Sequence, residues 1–134
     1  MTMNQTILVA DDDDEDFLLL NNHIRKCHQH MILTYVPTGE EVIKKLQTLP
    51  LPNLIILDAK MPLMNGYETV TLIRASPNYQ HIPILIWSGS LSNDDIIHFY
   101  QAGANSVILK QSMLEQIDIF CKYWVELVEL PIMQ

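Results

Sequence analysis

Five short apolar runs alternating with five amphipathic stretches predict an α/β protein, a single parallel sheet covered by helices on both faces. Two features carry this reading. The apolar runs are continuous, as in strands buried on both sides, and the stretches between them repeat apolar residues at three- and four-residue steps. With 134 residues, 49% hydrophobic and 18% charged, the chain suits one globular domain with a real core.

Residues 7–10, Ile-Leu-Val-Ala, form the first expected strand. Six acids follow without interruption: Asp11, Asp12, Asp13, Asp14, Glu15 and Asp16. The last three suit a helix N-terminus, where the macrodipole favours negative charge and Asp caps free N–H groups. Phe17, Leu20, Ile24 and Cys27 then trace the first helix, and residues 32–36 a weaker second strand. Val42, Ile43, Leu46 and Leu49 predict a helix after Thr38 and Gly39, stopped by Pro50 and Pro52.

Residues 54–57 are the third strand, and Tyr67, Val70 and Ile73 mark a helix ending before Pro77. Residues 84–87 are the fourth strand, followed by a helix over 93–101 with Gly103 just past its end. Residues 107–109 close the sheet, and Met113, Ile117, Phe120, Trp124 and Leu127 stripe a last helix. Right-handed crossovers between these elements predict a flavodoxin-like doubly wound sheet of order 2-1-3-4-5 with five helices. Residues 1–134 are expected to be one domain with no separate output domain, since no repeat or internal boundary interrupts them.

Composition narrows the function. A net charge of −8, with Arg25 and Arg74 the only arginines, leaves no basic face for a phosphate backbone, so direct nucleic-acid binding is not expected. No apolar stretch approaches the roughly 18 residues of a membrane span, and the N-terminus lacks a signal-peptide pattern. The expected location is the cytoplasm, with no membrane partner. Cys27 and Cys121 lack metal-ligand spacing and fall on helix stripes, which reads as reduced, packed thiols.

Four of the expected strands end on chemically capable residues: Asp11 with Asp12, Asp58, Ser88 and Lys110. In an open parallel sheet these ends share one edge, the usual place for a ligand. Three carboxylates, a hydroxyl and an ammonium suit a divalent cation plus a phosphoryl group. Hard oxygen donors favour Mg²⁺ or Ca²⁺. Asp12 and Asp58 are candidates for direct Mg²⁺ ligation and Asp11 for ligation through water. Lys110 would neutralise phosphoryl oxygens, which the Ser88 hydroxyl and the Gly89 N–H would hydrogen-bond. Asp58 opens a Pro- and Gly-shaped loop, residues 59–66, and is the candidate nucleophile.

The segments ILVADDDDED, LIILDAKMPLMNGYE, IPILIWSGS and AGANSVILK, in that order, resemble the receiver domain of two-component response regulators over essentially the whole chain. The resemblance implies a Mg²⁺ site on Asp11, Asp12 and Asp58, completed by the backbone carbonyl of Lys60. It implies that Asp58 takes phosphate from a kinase phosphohistidine and that Ser88 and Lys110 read it. A sensor histidine kinase or phosphotransfer protein would be the donor, and the chain itself no enzyme beyond its own phosphorylation and dephosphorylation. Residues 123–131 also resemble the ending of stand-alone regulators of the cyanobacterial-phytochrome type.

The chain departs from the family pattern in three ways. Val107 stands where an aromatic switch residue is usual, and Gln111 where Pro usually follows the Lys. Lys60, a long cation two residues beyond Asp58, stands where the family often tunes dephosphorylation, and Ser90 lies two beyond Ser88; both also fit exposed side chains. Ile96, Ile97, Phe99 and Tyr100 are expected to carry a conformational change to a downstream protein target, with a homodimer through the last two helices as one form of output.

Rival readings stay open at this level. A small Mg²⁺-dependent aspartyl-phosphate phosphatase would use Asp11 with Asp13, but Glu15 and the short chain do not fit the rest of that pattern. A degenerate receiver would act as a binding module alone. An EF-hand loop fits Asp12, Asp14 and Asp16 but fails at Phe17 and His23.

Overall fold

The computed structural model describes residues 5–125. Five parallel strands, β1 (Gln5–Ala10), β2 (Met31–Val36), β3 (Leu54–Asp58), β4 (Ile84–Ser88) and β5 (Ser106–Leu109), form one sheet of order β2-β1-β3-β4-β5. The predicted winding is the one observed. Helices α1 (Asp14–Cys27), α2 (Gly39–Leu46), α3 (Gly66–Ala75) and α4 (Asn93–Ala102) provide the crossovers.

The chain beyond β5 is helical in pieces: α5 (Lys110–Glu115), α6 (Ile117–Phe120) and a wider-wound turn over Cys121–Val125. The break falls at Gln116, whose φ of −118° and ψ of 42° lie outside helical values. The resemblance noted for residues 123–131, and the Leu127 end of the last stripe, fall mostly or wholly outside the described residues.

Strand alternation divides the core into two layers. Ile7, Val9, Ile56, Leu85 and Trp87 face Leu20 and Ile24 of α1 together with Met113 and Phe120. Leu8, Ala10, Ile55, Leu57, Ile84 and Ile86 face Val42, Leu46, Val70, Ile73 and Phe99 from α2, α3 and α4. At roughly 25 cal/mol per Å² of apolar surface, this double burial is the main force holding the sheet.

Helix starts follow from side-chain caps. Asp13 accepts the Glu15 N–H at 2.9 Å, Thr38 accepts from Glu41, and Asn65 with Glu68 and Ser92 with Asp95 form reciprocal capping boxes. Gly103 ends α4 at φ 115°, a left-handed value that suits glycine.

Three sequence expectations need correction. Leu49 is 86% exposed, because α2 stops at Leu46 and the Thr48 hydroxyl donates to the Lys45 carbonyl beyond it. Cys27 is exposed, because the buried stripe of α1 runs out at Ile24, although Cys121 is buried as expected. Phe99 is only 6% exposed and belongs to the core, which leaves Ile97 and Tyr100 as the large exposed groups of α4. Among the described residues no helix is long and apolar enough to cross a membrane.

Candidate functional site at the strand ends

Register brings the distant acids together. Ala10 pairs with Leu57, so Asp11 leaves β1 beside Asp58, the last residue of β3. Asp58 pairs with Trp87 and Ser88 with Leu109, which places Ser88 and Lys110 along the same edge. Ligand atoms of Asp11, Asp12 and Asp58 lie within 4.8 Å of one another. Asp11 and Asp58 are buried, while Asp12 is exposed at the mouth.

Backbone donors orient the carboxylates. The Asp13 N–H donates to Asp11 Oδ1 at 2.9 Å and the Lys60 N–H to Asp58 Oδ1 at 3.2 Å. The loop after β3 returns closely enough that a Cβ on Gly66 would sit 2.6 Å from the Asp58 carbonyl oxygen. Glycine is what permits that approach.

The Lys110 ammonium sits among three carboxylates, 2.8 Å from Asp11 Oδ2, 2.9 Å from Asp16 Oδ2 and 3.4 Å from Asp58 Oδ2. It also lies 5.2 Å from the centre of the Trp87 ring. Its contact with Asp11 Oδ2 is a short ion pair without hydrogen-bond alignment, so that buried oxygen has no directed donor.

Protonation follows from crowding. Burial first, then the neighbouring Asp11 charge, pushes the Asp58 carboxyl up to about 7. Burial also raises Asp11, against the pull of Lys110 and the Asp13 N–H. For Lys110, burial opposes the charge, but the contacts with Asp11 and Asp16 outweigh it and raise the group. Three acids share one ammonium, and the ligand atoms of Asp11, Asp12 and Asp58 cluster beside it. That donor set fits a hard divalent cation.

The remaining predicted site residues surround this centre. The Ser88 hydroxyl donates to the Ser90 carbonyl at 2.9 Å, and Lys60 Nζ to Ser90 Oγ at 3.4 Å. Lys60 and Ser90 thus meet across the mouth. Gly89 is exposed, and a Cβ there would touch nothing within 4 Å. Beside the mouth a cleft of about 530 Å³ opens between the loop after β3 and α4, lined by Asp12, Lys60, Asn65, Tyr67 and Asp95 among others.

Asp16 is the site residue that sequence reasoning missed. It lay in the part of the acid run assigned to a solvated helix start, and Asp14 and Glu15 are indeed exposed there. Its side chain is only 25% exposed and binds Lys110, 94 positions away. No local signal separates it from its neighbours.

A doubly wound sheet whose strand ends gather acids around one lysine defines a class of α/β domain with an acidic, cation-suited pocket at that edge. The chain belongs to the response regulator receiver domain family of two-component signalling, whose model matches residues 7–120. It is 35% identical over 120 residues to the 3',5'-cyclic-nucleotide phosphodiesterase regA of Dictyostelium discoideum, covering 84% of this chain and 15% of that protein. It is 30% identical over 86 residues to the response regulator Rcp1 of Synechocystis sp., covering 61% of this chain and 58% of that one. The match thus spans under two thirds of either relative.

Two solved structures share the fold. The phosphorylated cyanobacterial phytochrome response regulator RcpA superposes with a TM-score of 0.85 at 22% identity, covering 93% of this chain and 96% of that one. The Mn(2+)-bound form of Rcp1 gives 0.80 at 25% identity, covering 96% and 99%. RcpA is a cyanobacterial phytochrome regulator, the type whose ending residues 123–131 resemble, and its likeness to this chain is one of fold.

Proposed function

We propose that this chain is a phosphoacceptor that receives a phosphoryl group on Asp58 from a histidine kinase or phosphotransfer protein. The observation that carries the reading is the position of the Asp58 carboxylate, held by the Lys60 N–H on one oxygen and facing Lys110 on the other. Asp11, Asp12, Asp58 and the Lys60 carbonyl would hold Mg²⁺, which supplies charge neutralisation for the incoming phosphoryl oxygens. Binding of Mn²⁺ by the related Rcp1 supports a divalent cation here.

In the proposed transfer an Asp58 oxygen forms a bond to phosphorus as the donor's phosphorus–nitrogen bond breaks, and the departing imidazole keeps the electron pair. Lys110 balances charge on the phosphoryl oxygens. The Ser88 hydroxyl, released from the Ser90 carbonyl, and the Gly89 N–H donate to the same oxygens. The Ser88 and Lys110 loops would then shift α4 and β5, altering the exposed Ile97 and Tyr100 surface that a downstream protein or a second copy contacts. The phosphodiesterase activity in the name of regA is not carried over, since the match covers 15% of that protein.

The test is incubation with Mg²⁺ and a small acyl phosphate donor. An acid-stable, base-labile adduct should form and map to Asp58, and Asp58→Ala should abolish it while the fold persists. Labelling that survives in Asp58→Ala refutes the assignment.

A further inference from the structure

Lys110 has more anionic partners than charge balance at Asp58 requires, and one of them comes from a different element. An ammonium offers three N–H donors, and three carboxylates stand at 2.8, 2.9 and 3.4 Å. Asp11 and Asp58 are the two that a cation would engage. Asp16 is not among the three carboxylates whose ligand atoms cluster. It projects from the first turn of α1, whose start is fixed by the Asp13 cap, so its carboxylate is held by a folded element rather than a loop.

We infer that Asp16 is a positioning residue, holding Lys110 in place for Asp58 once Asp11 and Asp58 are otherwise engaged. The inference rests on the phosphoacceptor reading above. A lysine on a four-carbon stem has many rotamers, and a single acceptor on another element restricts them. Asp16 does so from the side, with the Trp87 ring at 5.2 Å as a second wall. Without Asp16 the ammonium keeps only Asp11 and Asp58, and competes there with the cation. Asp14 and Glu15, two residues and one residue earlier on α1, are exposed and cannot substitute.

The test is a double-mutant cycle on Asp16→Asn and Lys110→Ala, read in two ways. At saturating Mg²⁺, Asp16→Asn should slow labelling by the small acyl phosphate about tenfold, the scale of one charge-assisted hydrogen bond. In the Lys110→Ala background the same change should alter the rate less than about twofold. In the metal-free protein, denaturant melts should show the two substitutions non-additive. Should Lys110→Ala not fold, Lys110→Gln serves as the background.

Wild-type labelling kinetics in Asp16→Asn, or an equal slowing in both backgrounds, overturns the inference. Failure of the wild type to label at all instead removes the phosphoacceptor reading. The metal-free cycle still decides in that case: additive melts end the pairing of Asp16 with Lys110, and non-additive melts uphold it.

Discussion

Lys110 Nζ lies 3.4 Å from Asp58 Oδ2, although 52 residues separate them in the chain. That proximity does not make Asp58 a strong acid. Burial and the Asp11 charge raise it from an ordinary 3.8 to about 7 despite the lysine. The folded protein therefore binds a proton there that the unfolded chain has already lost, over the interval between these values. The contribution of Asp58 to the stability of the metal-free protein should be full below about pH 4 and be lost as pH rises through about 7. Asp11, also raised, adds in the same direction. Melting the metal-free protein across this interval checks the sign; a Tm that climbs with pH contradicts it.

The same crowding predicts the response to a cation. A divalent ion needs Asp58 ionised, so Mg²⁺ should raise Tm more at about pH 8 than at about pH 5. Asp58→Asn removes one buried charge at nearly constant volume. In the metal-free protein at about pH 8 it should raise Tm by roughly 5 °C and blunt the further rise with Mg²⁺. Calorimetry of both proteins with and without the ion measures each effect.

Which parts of this site were legible in sequence depends on whether a residue's role is set locally or by tertiary placement. Asp11, Asp58, Ser88 and Lys110 stood out because each follows an apolar strand, and parallel pairing alone brings strand ends to one edge. Asp16 did not, because it shares its identity and helical position with acids that only face solvent. Leu49 was misplaced for a related reason. A three- or four-residue step says that a residue shares a helix face, but the face ends where the neighbouring element ends, and α2 stops before Leu49. The hydrogen bond from Ser88 to the Ser90 carbonyl is a rotamer choice that no spacing encodes.

Packing between α2 and α3 gives a sharper prediction. A Cβ on Gly39 would collide with Thr69 Oγ1 and lie 2.8 Å from the Met64 carbonyl. Thr69 cannot turn away freely, since its hydroxyl donates to the Asn65 carbonyl at 2.7 Å in a fully buried position. Gly39→Ala should cost about 1–3 kcal/mol by overpacking. Gly89→Ala, with open space around it, should change stability by less than about 0.5 kcal/mol. Urea melts of the two variants separate a close-approach glycine from a surface one.

Arg74 holds the opposite end of the domain together, and among the described residues it does so through backbone carbonyls and one amide oxygen. Its guanidinium donates to the carbonyls of Gly103 at 2.9 Å, Tyr79 at 3.0 Å and Ile82 at 2.9 Å, and to Asn105 Oδ1 at 2.8 Å. One side chain thus ties α3 to the turn before β4 and to the α4–β5 junction. Arg74→Ala would strand several of these acceptors, and should cost about 2–4 kcal/mol in urea denaturation. Arg74→Lys should recover little, because an ammonium cannot reach the spread of acceptors that the planar fork spans. Gly103→Ala strikes the same junction from the other side: at φ 115° its Cβ would stand 2.6 Å from Arg74 Cγ. Because both substitutions release one contact, their combined cost should fall below the sum of the separate ones. A double variant as destabilised as that sum would show that Arg74 and Gly103 stabilise the fold independently.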